Sequence, residues 1–340
     1  MPAALAAGNR PPQVVATFTN RCQMPQWLTR LVRTTHVRAS ILLTGAGLAL
    51  VAPASAPSRA LAQARETVRE PARARTSAHT SAHTDAERRA LTAVGSVRIA
   101  ELPWTEAIAR LDTSTVVVIP IGAEAKEHGP HLPLNNDWLL AEYFAQRIAS
   151  ATKVVLYPTI NYHFYPSFVE YPGSTTLQLA TARDVVIDIV RTIARHGPRR
   201  FYLLNTGVST LRALAPARDT LTANGLLVRY TDILNVGRAA EERVRQQQGG
   251  THADEMETSM MLYMHPEVVD MRQAPDDYHP GSGGLTRDSL RAVREGKVWS
   301  RTGTFGNATL ATREKGRVVT EAQVEGMLAE IAALRRSPLP

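Results

Sequence analysis

The sequence predicts an α/β fold in which a mostly parallel sheet is covered by helices on both faces. Short apolar segments with the composition of buried strands alternate along the chain with segments of helical periodicity. This alternation is typical of parallel sheets, because a parallel connection needs a crossover that usually contains a helix. The strands are predicted at residues 116–121, 153–157, 201–204 and 226–230.

The helices are predicted from the spacing of their apolar residues and from the residues at their ends. Residues 181–196 stop at Gly197-Pro198, and residues 211–224 are followed by Gly225, a residue that favours the left-handed backbone of a helix end. The remaining helices are predicted within 100–112, at 138–150 and 239–248, from about Asp254, and from about Thr320.

The charge of the chain is concentrated in its first part. The chain has 340 residues, 44% of them hydrophobic, and a formal net charge of +8. Residues 1–62 contain six Arg, no Lys and no acid, and without those six the 39 basic residues become 33 against 31 acidic ones. Because the rest of the chain is close to neutral, the composition argues against a nucleic-acid-binding face.

The first part reads as an export signal. Basic residues precede the apolar segment 41–52, and Ala54-Ser55-Ala56 is a small-residue cleavage pattern. The apolar segment is too short to span a bilayer comfortably. We therefore predict an export signal region at 1–56, with Met24 as a possible true start, and a periplasmic or secreted protein with no stable membrane anchor after processing. An uncleaved anchor and a misassigned start are the alternatives.

The domain organisation follows from composition. Residues 57–95 are rich in Ala, Arg, Ser, Thr and His, which predicts a flexible linker. Residues 96–340 are predicted to form a single α/β domain. The single cysteine, Cys22, lies in the leader, so the mature chain would have no disulfide, no thiolate ligand and no cysteine nucleophile.

A loop after the strand 116–121 gathers ionisable side chains. Open α/β sheets place their sites at the carboxyl ends of strands. His128 and Asp137 are nitrogen and carboxylate ligands of the kind that hold a divalent transition metal. Asp137 could instead be a helix N-cap, and His131 a hydrogen-bonded core histidine. The ionisable residues of the loop are Glu124, Lys126, Glu127, His128 and His131.

A second polar segment lies more than a hundred residues later. His252 follows the glycine pair at 249–250, and Glu257 lies in the first turn of the helix that is predicted from Asp254. A histidine steered by a carboxylate is a common general base or metal ligand. The acids of this turn could equally be a solvated surface.

The loop that follows the second predicted strand is rich in aromatic residues. These side chains could form the wall of a small-molecule pocket, or they could be ordinary loop packing. They are Tyr162, His163, Phe164, Tyr165 and Phe168.

Two motifs resemble those of the creatininase family, the creatinine amidohydrolase-like metal-dependent hydrolases. The first is HGPHLPL from His128, followed by two residues and Asp137; the second is His252-Ala253, three residues, and Glu257-Thr258-Ser259. The resemblance implies a three-layer α/β/α fold and hydrolysis of a non-peptide or cyclic amide C–N bond. It further implies a divalent-metal centre, with Zn or Mn and often two ions, in a homo-oligomer.

This sequence matches some of the family's site residues and lacks others. By resemblance, His128 and Asp137 are metal ligands, and His252 and Glu257 are the catalytic histidine and the active-site carboxylate. Lys126, however, replaces a family Glu, and the segment 205–209 lacks the family's metal-binding His. A lysine beside a bridging carboxylate can replace a cation electrostatically. We therefore predict one ion rather than two, with Lys126 where the second would bind.

The predicted function is that of an exported, metal-dependent amidohydrolase acting on a small-molecule amide. A metal on His128 and Asp137, with Glu257 and Glu127 as further candidate ligands, would activate water. His252 would carry the proton, and Lys126 would stabilise the developing oxyanion. The alternative is a catalytically decayed protein of the same fold that binds a small ligand.

Overall fold

The sheet predicted from the sequence is present, and its central strand is buried along its whole length. The computed structural model describes residues 84–250, 252–278 and 300–340. Five parallel strands form the sheet in the order β1-β3-β2-β4-β5, and β2 pairs with β4 over six residues. The strands are β1 Val97–Arg98, β2 Val116–Ile121, β3 Val155–Leu156, β4 Arg200–Asn205 and β5 Leu227–Tyr230.

Helices cover both faces of this sheet. The helices of the described residues are α1 Asp85–Val94, α2 Trp104–Ala107, α3 Asn136–Ala151, α4 Leu179–Ala194, α5 Leu211–Thr222, α6 Arg238–Val244, α7 Glu255–Met264 and α8 Arg313–Arg336. Val116 and Val118 of β2 share a core with α3, α7 and α8, whereas Val117 and Ile119 share another with α4 and α5. Alternate residues of a strand point to opposite faces, so a strand buried on both sides is apolar throughout. The three-layer α/β/α fold with a mostly parallel sheet is confirmed.

A small antiparallel ribbon lies beyond the main sheet. Its strands are β6 Asp276–Asp277 and β7 Gly306–Asn307. Phe305, next to β7, donates its backbone N–H to the carbonyl of His252 at 2.8 Å. The ribbon therefore holds the segment 300–306 against the loop that precedes α7.

Several element boundaries differ from the predicted ones. Residues 85–94, which we assigned to the linker, form α1, and Thr84 begins this helix with a complete capping box. Helix α8 begins at Arg313, seven residues before the predicted start, and Thr312 caps it. Asp137 is not an N-cap but lies in the first turn of α3, where its carboxylate has other partners.

The leader lies outside the described residues. The export signal, the possible start at Met24, the removal of Cys22 with the leader and the flexibility of the first part of the linker therefore remain predictions. Among the residues that the structure describes, no helix combines the length and the hydropathy needed to cross a bilayer.

Candidate active site

The loop after β2 folds back on itself, so that the start of α3 lies beside the end of β2. Gly122 makes this possible, because a Cβ there would lie 2.3 Å from the backbone oxygen of Asp137. The backbone N–H of Trp138 donates to the carbonyl of Ala123, and the backbone N–H of Lys126 donates to the carbonyl of Leu134, both at 3.0 Å. This hairpin-like turn presents its polar side chains at the carboxyl end of the sheet.

The structure brings the early and late polar segments together. His128 Nε2 lies 2.9 Å from Asp137 Oδ1 and 3.4 Å from Glu257 Oε1. His252 Nδ1 lies 3.8 Å from Glu257 Oε2, and the two imidazole rings are 4.9 Å apart. Donor atoms of His128, His252 and Glu257 all lie within 4.8 Å of one another. Four of the predicted site residues thus form one cluster.

The hydrogen bonds of His128 define what its outer nitrogen must hold. Nδ1 lies 2.8 Å from the carbonyl oxygen of Lys126, which can only accept, so Nδ1 carries a hydrogen. Nε2 faces the carboxylates of Asp137 and Glu257 and therefore needs either a proton or a cation. Burial and the Lys126 ammonium lower the pKa of His128, but the two carboxylates outweigh them and raise it to about 9.

This arrangement fits a divalent metal ion. A metal-binding histidine usually donates its other ring N–H to a backbone carbonyl or a carboxylate, as His128 does. One nitrogen and the two carboxylates of Asp137 and Glu257 form a donor set suited to Zn or Mn. His252 is a further candidate ligand, because its donor atom lies within 4.8 Å of those of His128 and Glu257.

Lys126 occupies the other side of Asp137. Its Nζ lies 2.5 Å from Asp137 Oδ2, and both side chains are less than a tenth exposed. The ammonium also lies 4.9 Å from the Phe168 ring centre and 5.5 Å from that of Tyr165. Burial raises the pKa of Asp137, but Lys126 and His128 outweigh it, so the pKa is lowered and the carboxyl is ionised.

The segment after β4 gives no ligand to a second ion. A Cβ at Gly207 would lie 3.0 Å from Thr210 Cγ2 and 3.4 Å from Tyr165 Cε1. The space beside this backbone is therefore filled by Thr210 and by the same tyrosine that contacts Lys126. That Lys126 stands where a second ion would bind stays a prediction.

Glu127 lies on the far side of His252. Its Oε2 and its backbone oxygen lie 3.1 and 2.8 Å from His252 Nε2, whereas Nδ1 points towards Glu257. Its other carboxylate oxygen accepts from the N–H of Gly129, and a Cβ at Gly303 would overlap it. The Glu127 carboxylate thus lies against His252, and its role as a metal ligand stays a prediction.

Glu257 is held by groups that sequence reasoning missed. Asn136 Nδ2 donates to Oε1 at 2.8 Å, and the N–H of Ala253 donates to Oε2 at 2.6 Å. Ala253 adopts a φ of 49°, a left-handed value that is rare for a residue with a Cβ. Burial raises the pKa of Glu257, but His128 and its other cationic neighbours outweigh burial and lower it. Asn136 directly precedes Asp137 in the first motif, and this adjacency was the available signal.

The helix that carries Glu257 begins as predicted. Asp254 Oδ1 accepts from the N–H groups of Met256 and Glu257, both at 3.0 Å, which fixes the first turn of α7. The alternative of a solvated acidic surface does not hold, because Asp254 and Glu255 are fully buried.

His131 is a core histidine, as its alternative interpretation proposed. Its Nε2 lies 2.8 Å from Thr258 Oγ1, so it ties the first motif to the second. Burial lowers the pKa of His131 to about 4, and the ring is neutral at physiological pH.

Some residues of the aromatic loop line the site, and others only pack within the loop and against neighbouring helices. Phe168 packs on His252 with ring centres 4.3 Å apart and lines a cavity at the site. Phe164 instead packs against Ala182 and Ala213, and Tyr162 is about half exposed. Only part of this loop therefore forms the wall of the site.

A cavity of about 390 Å³ opens on the cluster. It lies beyond the carboxyl ends of β2 and β4 and extends towards α6. Its lining includes four of the predicted site residues, Lys126, Asp137, His252 and Glu257. A pocket of this size is in the range that holds small organic ligands.

Comparisons with known proteins identify the family. The family model described as creatininase, creatinine amidohydrolase, matches residues 100–331. The creatinine amidohydrolase of Pseudomonas putida is 29% identical over 251 residues, which are 68% of this chain and 95% of that protein. A mycofactocin precursor peptide peptidase of Mycobacterium ulcerans is 25% identical over 233 residues, 65% of this chain and 86% of its own.

A solved structure agrees with the sequence matches. The structure described as "Creatininase Mn" is 27% identical to this chain and superposes with a TM-score of 0.59. The match covers 71% of this chain and 100% of that one. The predicted enzyme class, a hydrolase of C–N bonds other than peptide bonds, is that of the family model and of the Pseudomonas relative. The chain belongs to the creatininase family of amidohydrolases.

Proposed function

We propose that this protein is a metal-dependent amidohydrolase that cleaves a non-peptide or cyclic amide C–N bond of a small molecule, using one divalent ion. The observation that carries the proposal is the environment of His128. Its Nδ1 is bound to a carbonyl, and its Nε2 faces two ionised carboxylates within 3.4 Å. The name of a solved relative includes manganese, which supports a divalent metal of this kind.

The residues divide into those that hold the ion and those that handle protons. His128, Asp137 and Glu257 would hold the metal, whose chemistry is to activate water and polarise a carbonyl. His252 would hold its Nε2 hydrogen against Glu127, and its Nδ1, on the side of Glu257, would take a proton from the attacking water and return it to the leaving nitrogen.

Lys126 contributes positive charge to the same cavity. Its ammonium pairs with Asp137, and its remaining hydrogens can be donated to a carbonyl oxygen that becomes negative during attack. The same contact offsets one of the carboxylates and leaves room for a single ion.

Metal analysis tests the ion count directly. Elemental analysis of purified protein should find about one Zn or Mn per chain, and His128→Ala should lower this value far below one. Two tightly held ions per chain would refute the single-ion proposal and leave the hydrolase proposal intact.

A substrate screen tests the reaction. Lactams, ureides, formamides and short peptides are assayed with and without chelator, because relatives include both an amidohydrolase and a peptidase. We expect chelator-sensitive release of amine from a non-peptide amide, and loss of this activity in His252→Gln. No turnover of any amide by metal-loaded protein would refute the proposal.

A ligand-binding protein without turnover is the second candidate. It is favoured by one observation, the pairing of Lys126 with Asp137, which satisfies the carboxylate without any metal. Such a protein would contain no stoichiometric metal, and His128→Ala would leave its ligand affinity largely unchanged.

Export and assembly are proposed on the sequence and the family alone. We expect a mature, periplasmic or secreted chain that starts near residue 57, which cell fractionation and N-terminal sequencing would test. A mass in solution corresponding to several subunits would support the expected homo-oligomer, and a monomeric mass would refute it.

A further inference from the structure

The cavity at the site extends well beyond the ionic cluster. It continues between α3 and α7 and reaches α6 and Gln323 of α8. At about 390 Å³ it has room for a molecule considerably larger than the cyclic amide of the Pseudomonas relative's name. The structure therefore carries information about the part of the substrate that does not react.

Part of the cavity wall is hydrocarbon. Leu140 and Phe144 come from α3, and Met256 and Met260 come from α7; all four are at most 8% exposed. A wall of this kind favours an apolar segment, since each buried methylene gains about 0.8 kcal/mol on leaving water. Methionine side chains adapt readily to such a segment.

Gln323 adds a buried polar group beside these apolar side chains. It is 3% exposed, and its Oε1 is buried without a hydrogen-bond partner. The side chain is held in place because Gly237 packs against it, with only 2.7 Å between Gln323 Cγ and the position of a Cβ at 237. A buried polar atom without a partner is unfavourable unless a ligand completes it. Gln323 Oε1 therefore calls for an N–H or O–H donor on the ligand.

The charges at the mouth of the cavity are already paired. Arg238 Nε lies 2.8 Å from Glu242 Oε1, and Arg245 forms an ion pair with Glu241. Neither cation needs an anionic group from a ligand, so the distal part of the ligand is uncharged.

We propose, on the basis of the function proposed above, that the substrate is a neutral amide with a hydrocarbon segment of several carbons and an uncharged hydrogen-bond donor at its far end. Gln323 is the residue that selects for that donor. The ω-hydroxyalkyl amides are the simplest molecules with these three features.

Three probes separate the contributions of chain length and of the donor: acetamide, hexanamide and 6-hydroxyhexanamide. Each is compared on the holoenzyme by kcat/KM. If none of the three amides is hydrolysed, the proposed reaction fails for this set. The affinities of the three amides are then compared instead, by their Kd values from ligand-observed NMR. We expect hexanamide to exceed acetamide by at least about tenfold. The hydroxyl should add about a further 3- to 10-fold.

The substitution Gln323→Met tests the role of the side chain. It retains the unbranched shape, and it should abolish the gain from the hydroxyl while preserving the gain from chain length. Glu325→Met, on the exposed face of the same helix, is the matched control and should change neither. Met260→Phe, which narrows the cavity and does not alter Gln323, should remove the gain from chain length.

Two results would overturn the proposal. One is equal kcat/KM or Kd for hexanamide and 6-hydroxyhexanamide with the unmodified protein. The other is an unchanged gain from the hydroxyl in Gln323→Met. If Gln323→Met does not fold, the comparison between the two amides and the effect of Met260→Phe still decide.

Discussion

The pairing of Lys126 with Asp137 predicts a large effect of removing the ammonium. Both side chains are less than a tenth exposed, and their charged atoms lie 2.5 Å apart. Breaking a buried pair by removing one partner typically costs about 3–5 kcal/mol, because the remaining charge is left uncompensated. We expect metal-stripped Lys126→Met to lose stability by this amount.

The expected shift in melting temperature can be worked from the size of the domain. One kcal/mol corresponds to roughly 2–4 °C for a domain of 150–250 residues, so the loss amounts to roughly 6–20 °C. Differential scanning calorimetry in EDTA measures it. Added Zn or Mn should restore part of the loss, because the freed carboxylate oxygen of Asp137 then becomes a ligand.

An exposed lysine provides the control. Lys153→Met removes the same charge from the protein surface and should change the melting temperature by about 1–2 °C at most. If metal-stripped Lys126→Met melted within 2 °C of the unmodified protein, Asp137 would not depend on the ammonium, and our account of the ion count would be wrong.

Three further substitutions test neighbouring parts of the structure. Glu127→Gln should lower kcat by about 10- to 100-fold with the metal content unchanged, because the carboxylate steadies His252 rather than the ion; loss of metal would show that it is a ligand. Asn136→Ala, which removes the amide that holds Glu257, should weaken metal affinity by about 10- to 100-fold in a chelator titration. Burial lowers the pKa of His163 to about 4, so below pH 6.5 the unfolded chain takes up a proton that the folded chain refuses. His163→Phe should therefore flatten the loss of stability between pH 6.5 and 4 by up to about 3 kcal/mol, and an unchanged slope in acid melting curves would contradict this.

The layered fold was predictable because four of the five strands of the main sheet are marked by their own apolar residues, whereas the two-residue strand β1 was not predicted. The apolar run 116–121 is buried on both faces, so its pattern required no knowledge of its neighbours. The two helix starts that were missed, at Asp85 and Arg313, lie in polar segments where capping residues carry the signal. Both segments are polar on average, so composition alone assigned the first to the linker and placed the second start too late, although one face of each helix meets the core.

The site was predictable in its residues but not in its pairings. His128, Asp137, His252 and Glu257 could be named from two motifs. Which carboxylate faces which ring nitrogen is set by the three-dimensional path of the loop after β2, and the sequence contains no local signal for that. Glu127 shows the difference, because it neighbours His128 in sequence and yet lies against the far nitrogen of His252.

The balance of charge in the cluster is the physical argument for the single-ion proposal. With a proton on His128, the positive charges of His128 and Lys126 equal the negative charges of Asp137 and Glu257, so the cluster is neutral. Replacing that proton by one divalent ion leaves a single positive charge, which a substrate oxyanion can offset. A second divalent ion would leave three positive charges beside side chains that are at most 15% exposed, and the nearby Glu127 carboxylate is already engaged by His252. Uncompensated buried charge of that size is strongly unfavourable. On the single-ion proposal, Lys126 would supply the positive charge that a second ion otherwise brings to Asp137.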